Sequence, residues 1–257
     1  MTDNIIHNAT FTIADKITTA LFGSNLDGET NIIDISYWQD PALIDYDLLA
    51  SRIDGAILRI AYSTYIDTRF ATHYKNLRDR DVPIGVYHYV VGNVKYSNQV
   101  NAVKAILKDY PLQLSHWADI EDTREGTALT KAVVNNYLTY ADDAFGVLNG
   151  IYTSMYAWRQ IMQDSKAHGH RKLWVAHYTT ASQPLMPAGW SQYYLWQFTD
   201  RARFDGYKQG GLDCSRFNGS EYEWYAQFST NVETTAPVEI SDAEKLARLW
   251  QAHPELH

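Results

Sequence analysis

The residues best equipped for chemistry are the carboxylates that end His116-Trp117-Ala118-Asp119-Ile120-Glu121-Asp122. The run reads as a buried strand. Side chains alternate across a strand, so Asp119 and Glu121 share one side and Asp122 takes the other. Two carboxyls held side by side push their proton affinities apart, leaving one a proton donor near neutral pH and the other an anion. That is the equipment of general acid catalysis on an acetal or ester. A lone Asp-x-Glu is better explained by acids that cap a helix or pair with Lys or Arg, so the rest of the chain has to decide.

Three more strand-end features bear on it. Asp34 stands in Asp34-Ile35-Ser36-Tyr37-Trp38-Gln39, Asp213 in Gly211-Leu212-Asp213-Cys214-Ser215, and an aromatic pair flanks a histidine in Tyr87-His88-Tyr89. If these ends meet, four acids from three strands face one pocket. Unpaired carboxylates are costly in a plain core, so such convergence points to function.

The elements that must position them follow a rhythm. Apolar, strand-like runs recur at Asn31–Ser36, Ala56–Ala61, Pro83–Val90, Ser115–Glu121, Gly150–Ser154, Lys172–Tyr178, Tyr193–Thr199 and Gly211–Phe217. Helical stripes fill the early gaps: Phe70, Tyr74 and Leu77; Val100, Val103 and Leu107; then Val133, Tyr137, Tyr140 and Ala144 behind a cap at Thr130. Strand-helix alternation predicts a parallel sheet with right-handed crossovers, and eight strands predict a closed barrel with its active site at the C-terminal strand ends. The Thr199-to-Gly211 gap is too short for a crossover helix, which needs roughly a dozen residues. The fold class expected is therefore α/β, an irregular TIM-like β/α barrel of eight strands with few or no helices in its last third.

Residues 1–30 read as an N-terminal extension and 31–220 as the barrel. Residues 221–257 read as a closing helix (221–228), a polar linker (230–239) and a C-terminal helix. That last helix opens on the capping box Ser241-Asp242-Ala243-Glu244, followed by the stripe Leu246, Leu249 and Trp250.

A chain of 257 residues buries a large core. Its 19 Tyr and 8 Trp suit flat, amphipathic ligands such as sugars. A net charge of −8 argues against nucleic acid as a partner and gives no pull toward anionic membranes. Cys214 is the only cysteine, so no intrachain disulfide is possible and the redox compartment stays open. No apolar run of about 18 residues suggests a membrane span. The start, Met1-Thr2-Asp3-Asn4, lacks a basic segment followed by an apolar one, so no secretory signal peptide is expected.

Taken together, the chain resembles the glycoside hydrolase family 25 lysozymes, the Chalaropsis-type muramidases of fungi, bacteria and phages. The resemblance rests on Asp34-Ile35-Ser36-Tyr37-Trp38-Gln39, Leu58-Arg59-Ile60-Ala61, Gly85-Val86-Tyr87-His88-Tyr89, Asp119-Ile120-Glu121, Gly150-Ile151-Tyr152-Thr153, Leu173-Trp174-Val175-Ala176-His177-Tyr178, Leu195-Trp196-Gln197-Phe198 and Leu212-Asp213, eight segments in the family's order. It implies hydrolysis of the β-1,4 bond between N-acetylmuramic acid and N-acetylglucosamine in peptidoglycan, without a metal or other cofactor. Glu121 would be the general acid and Asp119 the second carboxylate, steadying the substrate's 2-acetamido group or acting on the anomeric centre or on water. Asp34 and Asp213 would line the same pocket. Tyr62, Tyr87, Tyr152, Tyr178 and Trp196 are candidates for packing on sugar faces, and Arg59 for a substrate ligand or a structural partner of a barrel carboxylate. Trp117 and Trp174 read as core.

The chain departs from the family pattern at Cys214-Ser215, where relatives often carry an apolar residue and an asparagine. Recognisable cell-wall-binding repeats are absent. Without a signal peptide, release by phage-type lysis or carriage on a virion is the expected route to the cell wall. Two other readings remain at this level. Asp34, His88, Asp119 and Asp213 offer oxygen and nitrogen ligands for a divalent ion, though no His-x-His or His-Glu-x-x-His supports this. A non-catalytic glycan-binding barrel would have to dispense with the acid, and Glu121 is present. The oligomeric state is left open.

Overall fold

The computed structural model describes residues 29–228. The expected linker and tail helix, and nearly all of the N-terminal extension, lie outside the described residues. Within them the β-prone runs form β1 (Ile32–Ile35), β2 (Gly55–Tyr62), β3 (Tyr65–Ile66), β4 (Ile84–Tyr89), β5 (His116–Asp119), β6 (Gly150–Thr153), β7 (Leu173–Ala176), β8 (Leu195–Ala202) and β9 (Leu212–Phe217). Eight of these close a ring, β1-β2-β4-β5-β6-β7-β8-β9 and back to β1, while β3 is a short hairpin partner of β2.

The ring departs from the expected all-parallel sheet at one strand. β9 runs antiparallel to both neighbours, β8 and β1. The reason is the short gap after β8: with no room for a crossover helix, the chain turns back and pairs at once, as Ala202 opposite Leu212 shows.

The helices are α1 (Tyr46–Ala50), α2 (Phe70–Arg78), α3 (Tyr96–Leu107), α4 (Lys131–Phe145), α5 (Met155–Met162) and α6 (Glu221–Ala226). α4 starts at the expected cap, where the Thr130 hydroxyl accepts from the Val133 amide at 3.3 Å, and stops at Gly146 in the left-handed region. Its buried face is Val134, Tyr137, Leu138 and Ala141. The predicted stripe shares only Tyr137 with it. Tyr140 instead turns toward α3, edge-on to Tyr96 and donating to Asn101. The short α1 and α5 carry no stripe long enough to announce them.

Alternation along the strands sorts the apolar residues into two populations. Ile32, Ile57, Trp117, Tyr152, Trp174 and Leu195 fill the barrel, and Trp224 and Tyr225 of α6 pack with them from the floor. Val90, Ala118, Ile120, Ile151, Leu173, Val175 and Trp196 face the helices. Gly150 belongs to the interior: a Cβ there would sit 2.4 Å from the fully buried Trp117 ring. Gly150→Ala is expected to cost about 1–3 kcal/mol by overpacking, read as a lowered thermal midpoint. An unchanged midpoint would mean the indole has room to move.

Candidate active site

The same alternation lifts polar side chains above the apolar floor. Along β1, Ile32 fills the barrel and Asp34 follows two residues on. Along β5, Trp117 is succeeded by Asp119, and the chain carries Glu121 just beyond the strand. Along β8, Leu195 is succeeded by Gln197. β9 comes from the other direction, so Asp213 at its start reaches the mouth where the parallel strands end, in register with Asp34. Antiparallel running is thus what brings the fourth acid to the site.

Depth separates the four. Asp34 and Asp119 are buried, whereas Glu121 and Asp213 stand at the rim, partly open to solvent. All four carboxyls are pushed above their ordinary proton affinity, first by burial. Asp213 and then Glu121 add to this at Asp34, against a hydrogen bond from Gln197. Glu121 and Asp34 add to it at Asp119, against the Arg59 cation. Asp122 and Asp213 add to it at Glu121, against Arg124. Asp213 itself is pushed up to about 6, with Asp200 contributing and Tyr178 opposing. Such groups share their protons and titrate as a unit.

Raised carboxyls set a sign for stability. Each contributes fully below its unfolded value, near 3.8 for the aspartates and 4.5 for Glu121, and loses that contribution as pH rises through its higher folded value. Asp34→Asn, which keeps an oxygen for Gln197, is therefore expected to raise the thermal midpoint at pH 7 by about 2 °C or more and to leave it nearly unmoved at about pH 3, below the unfolded value. An equal shift at pH 7 and at pH 3 would show that ionisation is not the cause.

One residue knits the pocket together that residue type alone did not single out. The Gln197 amide Nε2 donates to Asp34 Oδ2 at 2.8 Å, and its Oε1 accepts from Tyr152 and from Tyr178, each at 2.9 Å. Two hydroxyls pointing at one oxygen fix which way the amide faces, so its N–H group must face Asp34. The signal was the alternation itself: in Leu195-Trp196-Gln197, an interior leucine puts Gln197 inside and Trp196 outside.

Trp196 is accordingly not in the pocket. It is 2% exposed, packed in the helix-facing layer, and its indole N–H donates to the His177 carbonyl at 2.8 Å. No ring face is left for a sugar. Tyr87 and Tyr152 lie edge-on to Trp174 and build the pocket floor. Tyr178 stands half-exposed at the rim, within reach of Asp213 as well as Gln197. Tyr62 stacks on Tyr89 at 5.1 Å.

Of its two readings, Arg59 takes the structural one. Its Nε and Nη2 both lie 2.9 Å from Asp67 Oδ2, a carboxylate outside the four acids, and its guanidinium lies under the Tyr37 ring. It is a structural partner first. A second cation matters more directly to the acid: Arg124 grips Asp122 through Nε and Nη2, both at 2.9 Å, and reaches the Tyr62 hydroxyl at 3.1 Å. Burial works to raise Asp122, yet these hydrogen bonds win and hold it below the usual carboxylate range. It stays an anion beside Glu121 and lifts that residue's proton affinity.

The divalent-ion arrangement does not form. His88 points to the helix layer, donating from Nε2 to the Ser63 carbonyl and accepting the Tyr137 hydroxyl at Nδ1. Among the described residues, no cluster of His, Cys, Asp and Glu is placed to hold a metal, and no helix is long and apolar enough to cross a membrane.

An irregular α/β barrel whose mouth gathers four carboxyls of raised proton affinity has the make-up of a glycoside hydrolase. The model of the glycosyl hydrolases family 25 matches residues 33–207, and the chain belongs to that family. Asp213 lies just beyond the matched segment. Comparison with curated proteins finds no match. Among solved structures, the bacterial lysozyme of Streptomyces coelicolor superposes with a TM-score of 0.68 at 22% identity, over 80% of this chain and 99% of that one. A glycosyl hydrolase 25 of Streptococcus pneumoniae that participates in host cell invasion gives 0.67 at 26%, over 84% and 98%. The catalytic domain of an endolysin from a Listeria monocytogenes bacteriophage gives 0.62 at 20%, over 78% and 97%. At these identities the first and third speak for the fold alone.

Proposed function

We propose that this glycoside hydrolase cleaves the β-1,4 bond between N-acetylmuramic acid and N-acetylglucosamine in bacterial peptidoglycan. Glu121 protonates the leaving oxygen. Asp119 is the second carboxylate, and Asp34 and Asp213 tune the pair and bind sugar hydroxyls. The observation that carries this reading is Asp119 Oδ1, a buried carboxylate oxygen with no hydrogen-bond partner in the folded chain. A buried acceptor without a donor is costly, and at a catalytic site it marks a place for a donor that arrives with the substrate. The N–H of a 2-acetamido group is such a donor. Held by Asp119, its carbonyl oxygen attacks the anomeric carbon while Glu121 protonates the departing oxygen. The C–O bond breaks, and water then opens the cyclic intermediate with Glu121 taking the proton back.

Two displacements give net retention. Direct inversion instead wants room for water between carboxyls roughly 6.5–9.5 Å apart, and the Asp-x-Glu spacing leaves little. Digestion of purified peptidoglycan with mass analysis of the new reducing ends tests the bond: muramic acid ends are expected, and glucosamine ends would overturn it. Proton NMR of the first-formed anomer tests the route. The β-anomer is expected first, and an α-anomer would recast Asp119 or Asp213 as a base. Work at the cell wall fits delivery by phage-type lysis or on a virion.

A further inference from the structure

Directly after β1, the chain presents Tyr37 and Trp38 to solvent. Trp38 is 69% exposed and Tyr37 38%, with ring centroids 4.3 Å apart. Single exposed apolar residues are ordinary and need no explanation. This pair differs in how firmly it is held. The Tyr37 amide donates to Asp67 Oδ2 at 2.9 Å, and its carbonyl accepts from Arg69 Nη1 at 2.6 Å. Its ring rests 4.5 Å from the Arg59 guanidinium, which is itself bound to Asp67. The turn is closed by the Ser36 amide on Gln39 Oε1 at 2.8 Å and the Gln39 amide on the Ser36 carbonyl at 3.1 Å.

The Asp67 side chain is wholly buried and that of Arg59 nearly so. Taking an ion pair out of water is costly, and apolar packing would serve stability as well or better. Here a buried ion pair supports rings that face outward. That arrangement pre-positions a surface rather than filling a core.

The surface follows directly on the strand that carries Asp34. Trp38 is four residues from Asp34, a separation of at most about 14 Å in extended chain. Arg59, which braces Tyr37, also pulls on the Asp119 carboxyl. A flat, rigid indole at that distance from the reacting bond suits the apolar C–H face of a pyranose ring.

We propose that Trp38, braced by Tyr37, is the stacking platform of a distal subsite that binds a sugar of the glycan strand beyond the two flanking the cleaved bond. This rests on the reading of a glycan as substrate. In a long strand the platform adds affinity; the shortest fragment does not reach it.

The test is binding to the Glu121→Gln chain, with and without Trp38→Ala, of peptidoglycan glycan fragments of increasing length, followed by calorimetry. Affinity is expected to grow with length in the first chain. Trp38→Ala should remove roughly five- to thirty-fold from the longer fragments and much less from the shortest. Trp38→Tyr should recover most of it. A loss of equal size at every length, or none at any, overturns the subsite. Cleavage by the unaltered chain is followed in parallel. Length-dependent, Trp38-dependent binding without cleavage sustains the subsite and removes the hydrolysis. Cleavage with no Trp38 effect removes the subsite alone, and a chain that binds no fragment overturns both.

Discussion

Glu121→Gln is expected to lower turnover on peptidoglycan by about a hundred- to ten-thousand-fold or more, with the thermal midpoint unchanged. Glutamine keeps the shape and the hydrogen-bonding reach of the side chain and removes only the transferable proton. The backbone leading to it is independently fixed: the Ile120 amide donates to the Tyr152 carbonyl at 2.9 Å, and the Thr153 hydroxyl to the Ile120 carbonyl at 2.7 Å. A loss of activity therefore reports on the proton and not on the local fold. Burial, Asp122 and Asp213 all raise the proton affinity of Glu121, so it holds its proton at a higher pH than a free glutamic acid does. Counting new reducing ends measures the loss, and near-normal turnover would take the acid's role away from Glu121.

Asp119→Asn is expected to cost roughly a hundred- to a thousand-fold in kcat, the scale of removing one preorganised electrostatic partner of a transition state. Asparagine fills the same space above Trp117. What goes is the negative charge that would face the positive charge developing on the acetamido group as it attacks. In the free enzyme, burial favours the protonated form of Asp119. An N–H donor brought by the substrate favours the ionised form, so substrate binding and proton release are linked. The sign follows: KM for the unaltered enzyme should rise as pH falls, and Asp119→Asn should flatten that dependence. If kcat survives the substitution, the orphaned oxygen serves something other than the reaction.

The architecture was legible because its signals are local. Alternation in each run names the strand, and the acids at the ends of the Asp34 and Asp119 strands follow from it. The direction of β9 was not legible in the same way. Nothing within Leu212–Phe217 tells a parallel strand from an antiparallel one; only the length of the preceding gap does, and that is a property of the connection. Asp213 reached the right mouth although it begins its strand. Trp196 and Gln197 show a different failure. Choosing by residue type favours the tryptophan as a sugar platform, whereas counting sides from Leu195 puts the amide inside and the indole out. Arg59 paired with Asp67 for a reason that sequence separation hides: β3 turns back on β2, and the Asp67 amide then bonds the Ile60 carbonyl beside Arg59. The Arg124 grip on Asp122 is only two residues long, but it depends on a loop conformation that no periodicity encodes.

The reversed last strand also dictates when the enzyme comes to exist. Asp34 and Asp213 are 179 positions apart (213 − 34) and become neighbours only when β9 seats between β8 and β1. Before that step β1 and β8 carry open edges, and the pocket lacks both its fourth acid and one of its walls. Contacts of such long range form late and slowly. Recovery of activity during refolding should therefore trail the recovery of helical signal, because the catalytic centre is assembled by the event that shuts the barrel.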